Sequence, residues 1–103
     1  LPLGERKLVG IARALAMKPK LLLLDEPAGG LAAHEVERLV QLIYTLKERG
    51  LTLFIVEHNM PFVMSLSERI VVLDEGKKIA EGIPDEVKKN ERVIKAYLGE
   101  EVA

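Results

Sequence analysis

Apolar side chains recur at helical spacing near the start of the chain. Leu8, Ile11, Ala12, Leu15 and Ala16 share one face, which predicts an amphipathic helix over residues 5–17. Lys18-Pro19 ends it, because proline has no amide hydrogen to donate and its ring clashes with the preceding turn. The pattern then changes. Leu21 to Leu24 is an unbroken apolar run ahead of Asp25, the pattern of a parallel strand buried on both faces. Pro27 and Gly29-Gly30 mark a turn. Val36, Leu39, Val40, Ile43 and Leu46 predict a second amphipathic helix, closed by Gly50, and Leu51 to Val56 predicts another buried strand. Strand, helix and strand joined by short loops imply a right-handed βαβ unit. Beyond it come a short helix around 60–66 and two strands, Ile70 to Leu73 and Lys78 to Ala80. A hairpin-like turn over Asp74-Glu75-Gly76-Lys77 joins these strands. Pro84 opens a helix over 84–89, and Val93, Ile94 and Tyr97 share one face of a last helix over 91–98. The class is α/β, with no internal repeat or interdomain linker, so residues 1–103 read as one domain.

Composition narrows the functional classes. A chain of 103 residues buries roughly 65% of its unfolded surface. With 49% hydrophobic and 30% charged residues it has an ordinary globular composition. No apolar run approaches the roughly 20 residues that span a bilayer. The opening Leu1-Pro2-Leu3-Gly4-Glu5 lacks the basic start and apolar core of a signal peptide. The absence of cysteine excludes disulfides and thiolate metal sites and fits a reducing cytosol. Net charge is −1, and the basic pairs Lys77-Lys78 and Lys88-Lys89 are isolated, a poor footprint for nucleic acid. The chain starts without Met, already inside a motif, which leads us to expect that its beginning is missing.

Three places can carry chemistry. Asp25-Glu26 puts two carboxylates at the C-terminal end of a buried strand, where open α/β sheets place their ligands. The first can hold Mg²⁺ and the second can orient and deprotonate a water. A bare Asp-Glu pair is more often only a solvated acidic loop. Gly4, at the start of the first helix, leaves backbone N–H groups free for a phosphate, although most such glycines are only turns. His58 follows the second strand, and a histidine so placed is commonly incidental. His34 reads as a surface residue in the first turn of a helix.

Order and context make these places specific. Leu21-Leu22-Leu23-Leu24-Asp25-Glu26-Pro27 resembles the extended Walker B motif of ABC ATPases. Leu1-Pro2-Leu3-Gly4-Glu5-Arg6-Lys7, followed by Ile11-Ala12-Arg13-Ala14-Leu15-Ala16, resembles their signature motif, with Pro2 at the usual serine and Leu3 at a usual glycine. Ala28-Gly29-Gly30-Leu31-Ala32 resembles the D-loop that links the two ATP sites of a dimer. Ala32 stands where the family commonly has Asp or Asn and has no side chain to hydrogen-bond. Val56-Glu57-His58-Asn59-Met60 resembles the switch-histidine loop. Pro2, His58-Asn59-Met60 and the ending Ala96-Tyr97-Leu98-Gly99-Glu100 are similar to the LivG-type ATP-binding subunit of branched-chain amino-acid importers. Urea-type importers have a similar subunit.

The resemblance implies a partial P-loop NTPase fold, a mainly parallel sheet flanked by helices, running from the signature helix to the C-terminal helix without the Walker A strand. It implies ATP and Mg²⁺ as cofactors, with Asp25 on the metal, Glu26 as base and His58 on the γ-phosphate. Gly30 and Leu31 would lie near the nucleotide, and Gly4 and Glu5 would serve the opposite site. The partners it implies are a second ATPase subunit (alike or different), transmembrane permease subunits and, indirectly, a substrate-binding protein, with no nucleic acid. The location it implies is cytoplasmic, peripheral on the inner face of the cell membrane.

What the 103 residues lack is equally specific. A P-loop, G-x-x-x-x-G-K-[ST], cradles phosphates with backbone N–H groups and a lysine. Gly76-Lys77-Lys78 is the only glycine-lysine pair and lacks the rest of that pattern, and the sole glutamine, Gln41, lies in a predicted helix instead of a Q-loop. In this fold the P-loop strand lies between the strand bearing His58 and that at 69–74. Without it the sheet has a gap or closes by pairing 51–56 with 69–74, and exposed edges favour association. Two other classes remain open: a non-catalytic or decayed fragment acting at most as an interaction module, and an ABC-type ATPase of DNA repair or chromosome maintenance. The importer-like ending and the absence of a basic patch speak against the latter.

Overall fold

The computed structural model describes residues 2–98. These fall into two compact units, one ending at His58 and the other beginning at Asn59. Leu1 and the Gly99-Glu100 end of the importer-like motif lie outside the described residues.

The first unit opens with α1 (Leu3–Leu15), which starts and ends two residues earlier than the apolar spacing predicts. Pro2 can precede the helix because the amide it lacks would have no intrahelical partner there, and its carbonyl accepts the Arg6 N–H at 3.0 Å. Past the helix, Lys18 takes φ 52° ahead of Pro19, which disfavours a helical residue before it. β1 (Leu21–Asp25) and β2 (Thr52–Val56) pair in parallel, Leu21 opposite Thr52 through Asp25 opposite Val56. Between them runs α2 (Ala33–Glu48), with Leu39, Ile43 and Leu46 buried along one stripe. Its start is held by Glu35, whose Oε1 accepts the Ala32 N–H at 3.0 Å. That is half of a capping box, since alanine offers no reciprocal acceptor. Its end is closed by Gly50, at φ +87°, donating to Lys47 O at 2.9 Å.

One expectation is corrected here. The strands are not buried on both faces. Leu22 is buried, but Leu21, Leu23, Phe54 and Val56 are each more than half exposed. Side chains alternate across a strand, so these four occupy one face of the β1–β2 pair, and the helices of the same unit, α1 and α2, leave it open.

The second unit begins with α3 (Met60–Leu66), whose first turn is capped by Asn59 Oδ1 accepting the Phe62 N–H at 3.2 Å. β3 (Ile70–Asp74) and β4 (Lys77–Gly82) form an antiparallel hairpin with an irregularity between Val72 and Leu73. Its two loop residues, Glu75 and Gly76, have φ 49° and 78°, the positive pair that a tight primed turn requires. α4 (Pro84–Val87) and α5 (Glu91–Val93) follow, and a π-helical turn over Ile94–Leu98 replaces the rest of the helix predicted for 91–98. Asn90 Oδ1 caps α5 by accepting from Arg92 N–H and Val93 N–H. Ile70, Val72, Val87 and Val93 form the core, with Val63, Met64, Ile79, Ala80 and Tyr97 packed against it. Each fully buried aliphatic side chain of this kind contributes roughly 1.5–3 kcal/mol. The Tyr97 hydroxyl donates to Leu73 O, tying the π-helical turn to β3.

Among the described residues the four strands form two pairs, β1 with β2 and β3 with β4.

Candidate functional site

The loop after β1 carries the site. Asp25 ends the strand with its side chain exposed. Glu26 extends the ladder by one bond, its N–H donating to Val56 O at 2.7 Å, and then turns the chain with φ +47°. A non-glycine residue there costs about 1–3 kcal/mol unless its surroundings fix it. The turn takes the carboxylate to the end of β2, where His58 Nδ1 lies 3.0 Å from Glu26 Oε1. Both side chains are solvent-exposed, 70% for His58 and 55% for Glu26. A carboxylate only accepts, so this contact makes Nδ1 the donor and leaves Nε2 available for another group.

Two side chains that periodicity did not single out hold this loop. Glu57 is the first, its side chain only 1% exposed. Its Oε2 accepts the Ala28 N–H at 3.1 Å and its Oε1 accepts the His58 N–H at 3.1 Å. A carboxylate so enclosed is tolerable only with its lone pairs satisfied, and here they join the β1 loop to the residue bearing the imidazole. The second is Lys7 of α1, whose Nζ donates to Glu26 O at 3.0 Å, Pro27 O at 3.2 Å and Gly29 O at 2.7 Å. The three carbonyls on Lys7 and the Ala28 N–H on Glu57 are main-chain atoms 19 to 29 residues away, which no local spacing reveals.

A second group surrounds the start of α1. Gly4 is buried, and a Cβ there would sit 1.7 Å from Glu35 Oε2, so the Glu35 side chain of α2 occupies the space a larger residue would need. Gly30 has φ +74°, and a Cβ on it would meet Leu3 Cδ2 at 2.7 Å. Gly4, Glu5, Lys7, Leu31, His34 and Glu35 border a cleft of about 220 Å³. His34 is exposed in the first turn of α2, as the sequence suggests. The residues singled out from sequence thus gather in two places: Asp25, Glu26 and His58 at the strand ends, and Gly4, Glu5 and Leu31 around the cleft, with Gly30 against Leu3.

Among the described residues no cluster of three or more His, Asp or Glu side chains forms a metal cage. Mg²⁺ does not require one. It is commonly held by one or two carboxylates, with phosphate and water oxygens completing its shell, and the single exposed Asp25 suits that manner of binding.

The fold is that of part of an ATP-binding cassette, and comparison with known proteins agrees. The family described as ABC transporter matches residues 1–29, and the family described as branched-chain amino acid ATP-binding cassette transporter matches residues 77–103. The chain belongs to the ABC transporter ATPases. The high-affinity branched-chain amino acid transport ATP-binding protein BraF of Pseudomonas aeruginosa is 44% identical over 98 residues, covering 94% of this chain. LivG of Escherichia coli K12, with the same description, is 41% identical over the same share. The lipopolysaccharide export system ATP-binding protein LptB of Haemophilus influenzae is 43% identical over 95% of the chain. The chain spans 38% of the length of BraF and LivG and 41% of LptB. Among solved structures, the ADP conformation of MJ1267, an ATP-binding cassette of an ABC transporter, superposes with a TM-score of 0.84 at 33% identity. That likeness covers 96% of this chain and 41% of that one. Within the family the chain is similar to LivG-type subunits.

Proposed function

We propose that the chain is the signature-to-C-terminus part of the ATP-binding subunit of an importer for branched-chain or related amino acids. The observation that carries this reading is the Glu26–His58 contact at the adjoining ends of two parallel strands, beside Asp25. Glu26 accepts the proton of the attacking water. His58, steadied through Nδ1 by Glu26 and through its N–H by Glu57, presents Nε2 to the γ-phosphate. Asp25 holds Mg²⁺, which when bound supplies charge neutralisation at the phosphates. Gly4 and Glu5, across the cleft from α2, serve the nucleotide of a partner subunit. Catalysis then rests on positioning and charge stabilisation, as in other phosphoryl transfers. The branched-chain family match over residues 77–103 and the BraF and LivG likeness support the substrate class. LptB is almost as similar, so the substrate rests chiefly on that C-terminal match. A second ATPase subunit and a membrane-spanning permease follow from the reading, with the subunit peripheral on the cytoplasmic face. No described helix is long and apolar enough to cross the membrane itself.

In the complete subunit, Glu26→Gln is expected to lower ATP turnover by about 10²-fold or more while leaving ATP binding intact. Steady-state hydrolysis and nucleotide binding measure the two, and near-normal turnover would remove Glu26 from the role of base.

A further inference from the structure

We infer that Lys7 is a positioning residue for Glu26, through which the signature helix holds the loop that carries the catalytic carboxylate. The inference rests on the reading of Glu26 as base.

The geometry is specific. Three backbone carbonyls of the β1 loop, those of Glu26, Pro27 and Gly29, converge on one point, and the Lys7 ammonium occupies it. Converging carbonyl dipoles repel one another unless a cation or donor lies between them. An ammonium has three N–H donors and no acceptor, so these three bonds saturate it. A planar guanidinium presents its donors in a flat fork and matches a three-cornered set of carbonyls less well.

The loop needs this support. Glu26 holds a left-handed conformation that a side chain disfavours. Its peptide is fixed from several sides: its N–H lies on Val56 O, and its carbonyl accepts from both Lys7 Nζ and Gly29 N, the latter at 3.1 Å. Glu57 holds the middle of the loop through the Ala28 N–H. Without Lys7, three carbonyls lose the ammonium together, and the one at Glu26, left with the Gly29 N–H alone, belongs to the residue whose carboxylate must be aimed.

Lys7 also lies three residues after Gly4, on the same side of α1 as the glycine that meets α2. A displacement of the α1 start therefore reaches Glu26 through one side chain. Ala32, in the same loop region, supplies no polar side chain for such a link.

The test uses the complete subunit with Lys7 unsubstituted, as Lys7→Met and as Lys7→Arg. Methionine keeps much of the length and apolar stem but removes the charge and donors. Lys7→Met is expected to lower kcat by on the order of 10- to 100-fold, with KM for Mg-ATP within about two-fold and Tm nearly unchanged, because misplacement of about 1 Å costs that much in rate. Lys7→Arg, which keeps the cation, is expected to recover part of the loss. A Lys7→Met kcat within about two-fold of the unsubstituted value overturns the inference, as does a loss that only tracks a fall in Tm. Amide exchange over residues 26–31 gives a reading that does not need hydrolysis. Lys7→Met is expected to accelerate it while exchange over residues 36–46 holds. If the unsubstituted subunit hydrolyses no ATP, the proposed function fails. Exchange alone then judges the Lys7 contact, and an unchanged rate overturns it.

Discussion

At the scale of single residues, the site is built from close approaches that tolerate little change. Gly4 illustrates this. A Cβ there falls 1.7 Å from Glu35 Oε2, while the other oxygen of that carboxylate holds the Ala32 N–H at the start of α2. Gly4→Ala must therefore push the Glu35 side chain off its contact. The expected loss is about 0.5–2 kcal/mol of stability, the usual cost of removing a helix N-terminal cap. In a Glu35→Ala background the added methyl meets nothing to displace, so Gly4→Ala is expected to be nearly neutral there. Thermal melts of the four variants measure the coupling, and an equal cost in both backgrounds would assign the effect to something other than Glu35. Legibility in the sequence divides along the same line. Glu26 and His58, which lie 3.0 Å apart, could be singled out as candidates because motif order supplies a context. Glu57 and Lys7 could not, because each acts on main-chain atoms brought near only by the parallel pairing of β1 with β2 and the packing of α1.

At the scale of elements, local chemistry set most boundaries. The hairpin was legible because Glu75-Gly76 supplies the positive φ pair that a two-residue turn needs. The last helix was less so. The apolar face of Val93, Ile94 and Tyr97 is real in that Val93 is fully buried, but the backbone beyond it takes a π-helical turn, and Tyr97 donates to Leu73 O. Spacing alone does not distinguish the two windings. The β3–β4 hairpin also carries a charge cluster. Lys78 Nζ donates to Glu81 Oε1 at 2.9 Å, and Arg69 Nε and Nη2 donate to Glu81 Oε2. The Lys78 hydrogen bond first, then that of Arg69, holds the Glu81 carboxyl below the usual glutamate range. The folded-state value is the lower one, so the cluster stabilises the hairpin above the unfolded value of about 4.3 and loses that effect as pH falls through the lowered value. Glu81→Gln is accordingly expected to lower Tm slightly at pH 7, less in high salt, and by a shrinking amount as pH falls below the unfolded value. Melting curves across pH test this; a gap that persisted into strong acid would show that the cluster's charge is not its source.

At the scale of the whole molecule, the fold class was legible and the burial of its strands was not. An unbroken run such as Leu21 to Leu24 encodes a strand for two covered faces, but the residues that cover each face are not written in the run. The helices of the same unit leave Leu21, Leu23, Phe54 and Val56 open, with Leu23 66% and Phe54 60% exposed. Apolar area of this kind on a parallel pair is ordinarily covered, and an uncovered contiguous patch drives association. The β1–β2 pair is only two strands wide, so it also presents unpaired backbone groups along its margins. The 103-residue chain by itself is therefore expected to self-associate over about 10 µM to several hundred µM. Leu23→Lys combined with Phe54→Glu places charges at facing register positions on that face. It is expected to shift the population towards monomer while leaving the far-ultraviolet circular dichroism unchanged. The paired substitution separates the two causes: if the open face drives association it weakens in the variant, and if strand margins drive it the variant associates as before. Sedimentation velocity across the concentration series decides, and an unsubstituted chain that stays monomeric throughout would show that the open face is tolerated by water after all.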